Sequence, residues 1–134
     1  MLMGDLLTLV QEELPIKVVV FDNGKLGFVE IEQKAEGMTP LYTELKNPDF
    51  GAVAKAVGIW GHRVDKVTEL EDAIRSWLAQ PGPALLHVDV APMQLVTPPF
   101  IAPEAALGMA LYSARAVLHG HGGDVVEMIR ENLP

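Results

Sequence analysis

Apolar residues fall along this chain in two kinds of pattern. Val18-Val19-Val20-Phe21 and Ala84-Leu85-Leu86 are short continuous apolar runs, whereas the stretches between them carry apolar residues three and four positions apart. Runs of this length bounded by turn formers predict strands buried on both faces, and the wider spacing predicts amphipathic helices. Asp5 to Leu14 is then a helix stopped by Pro15, and Lys17 to Phe21 a strand. Phe28 to Glu36 suits a short helix ended by Gly37, Met38 to Asn47 a loop, and Pro48 to Val57 a helix closed by Gly58. A short strand is expected at Ile59 to Val64. Thr68 and Glu71 have the spacing of a capping box heading a helix from Glu69 to Ala79, and Pro81-Gly82-Pro83 breaks the chain before a strand from Ala84 to Val90.

Strands that alternate with helices of this length require crossovers, and crossovers give a parallel sheet. The fold class read from the pattern is α/β, a three-layer α/β/α arrangement with helices on both faces of the sheet. After Val90 the character changes. Pro92, Pro98, Pro99 and Pro103 space out an extended segment that cannot join a central strand. Glu104 to His119 is strongly helical, Gly120 to Gly123 is a break, and Asp124 to Asn132 is a last helix. Two regions follow: 1–91, the sheet domain, and 92–134, a Pro-rich segment with a helical tail.

Composition narrows the classes. The chain has 134 residues, 49% of them hydrophobic and 21% charged, enough for one domain with a real core. Its formal charge of −8 excludes a nucleic-acid partner, because phosphate binding rests on clustered Lys and Arg. Without cysteine there is no disulfide or thiolate chemistry, which fits an intracellular protein. No apolar run approaches the roughly 20 residues that span a bilayer, and the first residues lack a basic leader. The expected location is the cytoplasm.

The chemistry is expected beyond the first strand. Ligands of open parallel sheets sit past the carboxyl ends of the strands, and Asp22-Asn23-Gly24-Lys25 follows there. Asn-Gly is also an ordinary turn pair. His119 and His121 with Asp124 lie in a glycine-rich break and lack the three or four fixed ligands of a zinc site. His87 and Asp89 read as a strand end near solvent, His62-Arg63 as a surface pair, and Glu69, Glu71 and Asp72 as a solvated first turn. Met1, Met3 and the leucines of the first helix read as core.

Met3-Gly4-Asp5-Leu6-Leu7, the strand ending Phe21-Asp22-Asn23, the following Leu26-Gly27-Phe28 and the closing Gly82-Pro83-Ala84-Leu85 together resemble the C-terminal, pyrophosphate-binding domain of thiamine-diphosphate enzymes. The similarity extends over the Pro-rich segment and tail, and is greatest to the bacterial pyruvate oxidase and pyruvate:quinone dehydrogenase branch. It implies a thiamine-diphosphate-binding fold in which Asn23, Gly24, Lys25 and Leu26 contact the cofactor. Mg²⁺ would be held by the Asn23 side-chain oxygen and the Lys25 backbone carbonyl, with a further aspartate from a Gly-Asp-Gly on the preceding strand. Hard oxygen ligands shared with phosphates are what Mg²⁺ demands. Asp22 stands where the family has the first Asn of an Asn-Asn pair.

The Gly-Asp-Gly is absent; counting back from Asn23 puts its aspartate before Met1, and Gly4-Asp5 lies only 18 residues before Asn23. The expectation is a domain truncated at its N-terminus, silent alone, with the family's N-terminal domain and its FAD-holding middle domain elsewhere. Leu26, Phe28 and Val29 are the candidates for a substrate pocket. A carboxylate occupies the place of Val29 in decarboxylase relatives, and an apolar residue there favours passing electrons on over protonation. The implied function is oxidative decarboxylation of pyruvate; the alternatives are an acetolactate synthase-like carboligase and a non-catalytic oligomerisation module. Homo-oligomers are expected. The tail, through Val125, Val126, Met128 and Ile129, is a candidate for peripheral contact at the inner face of the membrane, although Asp124, Glu127 and Glu131 outweigh Arg130 and favour packing on protein.

Overall fold

The computed structural model describes residues 3–92 and 102–132, with side chains as far as Arg130. The chain forms two compact units, one of Met1–Asp22 with Lys46–Val90 and the other of Asn23–Leu45 with Ala91–Pro134.

The first unit is a three-stranded parallel sheet with helices on both faces. Its strands are β1 (Lys17–Asp22), β2 (Trp60–Val64) and β3 (Ala84–Asp89), in the order β1-β3-β2. Lys17 and Trp60 both pair with Ala84, and Asp22 with Asp89, so the three strands start level. Central β3 is buried on both sides, as a crossover-covered strand must be. Leu86 and Val88 point to one face, where α4 (Val67–Leu78) packs Ala73, Leu70, Ile74 and Trp77 on them with Val64. Leu85 points to the other, against Ala54 of α3 (Phe50–Ala56), Ile59, and Leu6 and Leu9 of α1 (Leu6–Gln11). α3 approaches β2 closely because both carry glycine: a Cβ on Gly61 would lie 2.1 Å from the Gly51 carbonyl oxygen. The Pro81-Gly82-Pro83 break is strapped down by Lys17, whose Nζ donates to the carbonyls of Gln80 (2.7 Å) and Gly82 (2.5 Å).

The second unit holds α2 (Gly27–Ala35), α5 (Pro103–Leu118) and α6 (Gly122–Asn132). α2 and α5 pack backbone to backbone at Gly108, where a Cβ would fall 1.6 Å from the Ala35 carbonyl oxygen. Val125 and Met128 of α6 are half-buried, and Val126 and Ile129 are exposed. Among the described residues no helix is long and apolar enough to cross a membrane.

Four expectations need correction. β1 is not buried on both faces: it is an edge strand of the described sheet, with Val19 39% and Phe21 68% exposed, because β3 alone has a neighbour on each side. Helix α4 starts at Val67 after an extended Lys66 with no side-chain cap, so Thr68 lies inside the helix and forms no capping box. Of the proposed core residues near the start, Leu6 and Leu9 reach the core while Met3, Leu7 and Leu14 are exposed, because a helix of six residues buries one narrow stripe. Met1 lies outside the described residues. The glycine-rich break is shorter than expected, since α6 begins at Gly122. Pro98 and Pro99 lie outside the described residues, and Pro103 opens α5 at its first position, where its missing N–H costs nothing.

Candidate functional site

The turn after β1 is built by two local devices. Gly24 adopts φ 65°, the left-handed bend that glycine takes without strain, and the Lys25 N–H donates to Asn23 Oδ1 at 3.2 Å. Residues 24–26 then run antiparallel to 43–45. Leu26 N–H donates to the Thr43 carbonyl (2.7 Å) and Leu45 N–H to the Gly24 carbonyl (2.8 Å), flanking a bridge between Lys25 and Glu44. In such a pair the central residues turn their own N–H and C=O away from the partner strand. Ladder geometry therefore directs the Lys25 carbonyl outward, on the residue whose amide is tied to Asn23.

Glu30, one turn into α2, anchors this ribbon from beneath. Its side chain is almost wholly buried, and its carboxylate accepts from Lys34 Nζ at 2.7 Å and Thr43 Oγ1 at 3.3 Å, with Lys25 Nζ at 3.3 Å. Lys34 in turn lies 5.1 Å from the centre of the Tyr112 ring. Burial pushes the Glu30 carboxyl up, but the hydrogen bond and charge of Lys34, with those of Lys25, more than offset it and hold the group below its usual range. Lys25, Glu30, Thr43, Tyr112 and Arg115 border a cavity of about 540 Å³ in the second unit. Arg115 Nη1 donates to the Gly37 carbonyl at 2.5 Å.

In the first unit the carboxyl ends of the strands carry a second polar cluster. His87 of β3 is fully buried. Its Nε2 lies 3.1 Å from Asp22 Oδ2, and Nδ1 accepts the Phe50 N–H at 3.3 Å. With Nδ1 so occupied, a neutral ring carries its proton on Nε2, facing Asp22. Asn47 Nδ2 donates to the other Asp22 oxygen at 2.8 Å, and Arg63 grips Asp89 through two nitrogens. Asp49 caps α3 by accepting the Ala52 N–H at 2.9 Å, and chiefly for that reason its carboxyl sits below the ordinary range. Asp22, His87 and Asp89 offer three ligand atoms within 4.8 Å. Each already has a protein partner, so the cluster reads as a lock on the strand ends. The surface reading of His87 is thereby overturned: a residue of the central strand beneath α3 has no route to solvent. Arg63 is exposed, as expected, but is committed to Asp89.

The structure brings Asn23, Gly24, Lys25 and Leu26 into one turn, and Leu26 also ends the ribbon and accepts the Glu30 N–H at 2.9 Å. Leu26, Phe28 and Val29 are exposed, Phe28 at 68%, and none lines the cavity. Phe28 is therefore not the core residue that helical spacing alone allows. The donor set at the turn, an amide oxygen and an outward backbone carbonyl, fits a hard cation such as Mg²⁺. Glu30, Lys34 and Thr43 were missed from sequence; Glu30 and Lys34 stand four apart on one helix face, which was a legible pairing signal. His87 carried the wrong surface prior, and Asp49, three residues before the amide it caps, was a readable N-cap.

A parallel sheet with helices on both faces, as in the first unit, defines an α/β domain. Residues 1–88 match the model of the thiamine pyrophosphate enzyme, C-terminal TPP binding domain, and the chain belongs to that family. YdaP of Bacillus subtilis (strain 168), provisionally named a thiamine pyrophosphate-containing protein, is 39% identical over 88 residues, which is 66% of this chain and 15% of that protein. Acetolactate synthase isozyme 2 large subunit of Escherichia coli (strain K12) is 35% identical over 94 residues, 68% of this chain and 17% of that subunit. Acetolactate synthase 2, chloroplastic, of Zea mays is 38% identical over 96 residues, 65% of this chain and 15% of that protein. The chain thus spans about a sixth of the length of these curated relatives.

Proposed function

We propose that this domain binds the diphosphate of thiamine diphosphate through Mg²⁺, within a larger enzyme that acts on a 2-oxo acid such as pyruvate. The observation that carries the reading is the turn itself, where Asn23 Oδ1 is held by the Lys25 amide and the Lys25 carbonyl is turned outward by the ribbon. Asn23 and Lys25 would supply two oxygen ligands, and the rest of the shell would come from the diphosphate, water and an aspartate elsewhere. When bound, thiamine diphosphate supplies a nucleophilic carbon and an electron sink for the loss of CO₂ from a 2-oxo acid. Leu26, Phe28 and Val29, exposed just beyond the turn, would give the substrate an apolar surface that excludes water and carries no proton donor.

Two outcomes for the decarboxylated substrate are supported by different observations. The names of the matched acetolactate synthases favour joining it to a second 2-oxo acid. The apolar Val29 and the helices α5 and α6, which lie beyond the matched residues 1–88, favour oxidative decarboxylation with FAD on another domain. We further propose a cytoplasmic homo-oligomer, with α6 as the segment for any contact at the membrane surface. Supplying the longer polypeptide with pyruvate, thiamine diphosphate and Mg²⁺ tests the reading: acetolactate supports ligation, and acetate with a reduced acceptor supports oxidation. Asn23→Ala should raise the Mg²⁺ requirement on the order of tenfold, the factor given by about 1.4 kcal/mol of lost ligation. Absence of cofactor-dependent turnover of any 2-oxo acid would refute it.

A further inference from the structure

The Glu30 carboxylate is the one buried acid in the second unit's described core, and it touches both strands of the ribbon that carries the proposed metal turn. Lys25 comes from one strand and Thr43 from the other, and Lys34 supplies the main counter-charge from the same helix one turn on. We propose that Glu30 is the positioning residue of the metal turn. It holds the Lys25 and Thr43 side chains to one carboxylate and so ties the two strands of the ribbon together, keeping the Lys25 backbone carbonyl directed away from the partner strand.

Simple structural filling does not account for the arrangement. Burying a carboxylate and an ammonium together costs more than filling the space with apolar side chains. The pair Glu30–Lys34 would satisfy itself with one oxygen; the second oxygen is spent on Lys25 and Thr43. Thr43 and Lys25 sit at the inner end of the ribbon, on either side of the Leu26 N–H to Thr43 carbonyl bond. A clamp there fixes the peptide that follows the Lys25 carbonyl. Hydrogen bonds that involve a charged partner are the stronger kind, and two of them bridge a ribbon of only three residues per strand. This inference rests on the metal-turn reading for its purpose, although the clamp can be tested without it.

The test compares Glu30→Gln, Thr43→Val and the double variant Glu30→Gln/Lys34→Met with the parent chain by amide NMR. The double variant removes the risk that a buried unpaired Lys34 unfolds the single one. In folded variants, shown by α5 amides that keep their protection, the Leu26 and Leu45 amides should exchange roughly tenfold faster or more, and the Asn23–Leu26 signals should shift. Mn²⁺ with thiamine diphosphate, as a paramagnetic probe, should broaden Asn23–Leu26 in the parent and require roughly tenfold more metal in the double variant. Exchange of Leu26 and Leu45 within twofold of the parent, in a folded double variant, would overturn the clamp. Faster exchange in the folded variants, with no Mn²⁺ broadening of Asn23–Leu26 in the longer polypeptide that supplies the aspartate, would sustain the clamp and refute the metal-turn reading.

Discussion

Replacing His87 by leucine isolates the lock at the strand ends. Leucine keeps much of the imidazole volume but has no donor for Asp22 and no acceptor for the Phe50 amide. The first loss is a hydrogen bond to a carboxylate whose side chain is only 10% exposed, worth roughly 1.5–3 kcal/mol. The second strands one amide, at about 1 kcal/mol. The edge-on contact between the Phe50 and His87 rings, 5.2 Å between centres, is lost as well. A total near 3 kcal/mol is expected, a large part of the 5–15 kcal/mol typical of a domain. Asp22→Asn keeps an acceptor for Nε2–H without the charge and should cost about 1 kcal/mol. Because the two residues share one bond, the double variant should be more stable than the sum of the singles by about 1–2 kcal/mol. Urea unfolding followed by circular dichroism gives the four midpoints, with an unchanged slope required for the comparison. A coupling under about 0.5 kcal/mol would show that His87 merely fills space between α3 and the sheet.

Other features make equally direct predictions. Gly108→Ala would drive a methyl group into the Ala35 carbonyl and should separate α2 from α5, lowering stability by about 3 kcal/mol or preventing folding; a thermal midpoint unchanged from the parent would exclude the close approach. Asp49 is lowered from 3.8 in the folded chain, so its contribution is present above that value and is lost as pH falls through the folded value; Asp49→Ser should flatten the acid limb of a stability–pH curve while retaining the cap, and Asp49→Ala should cost about 1 kcal/mol at neutral pH. Tyr112 is raised above 10.0, first by burial and then by the charges of Asp124 and Glu30, so its stabilising effect is complete below 10.0 and fades as pH rises through the folded value. In Tyr42→Phe, where Tyr112 is the remaining tyrosine, ultraviolet titration should place the midpoint above 10.0; a midpoint at or below 10.0 would contradict the burial.

The order of helices and strands was legible from local pattern, because a continuous apolar run and a three-to-four spacing each match the side-chain period of one kind of element. The same holds for the turn: Asn23 and Gly24 stand next to the residues they bond or bend, so a short stretch of sequence encodes the Asn23–Lys25 contact and the left-handed glycine. Family resemblance placed the chain among thiamine-diphosphate enzymes, and the match over residues 1–88 bears that out. Contacts that join distant residues were hidden. His87 reaches Asp22 across 65 positions and looked like a surface residue, since nothing in Leu86-His87-Val88 states that α3 will cover it. Thr43 meets Glu30 only because an antiparallel ribbon folds the loop back over α2, and Gly108 reveals its role only when the Ala35 carbonyl lies where its side chain would be. Local chemistry thus located the turn, whereas its clamp and the lock on the strand ends required the packing of elements whose pairing no periodicity records.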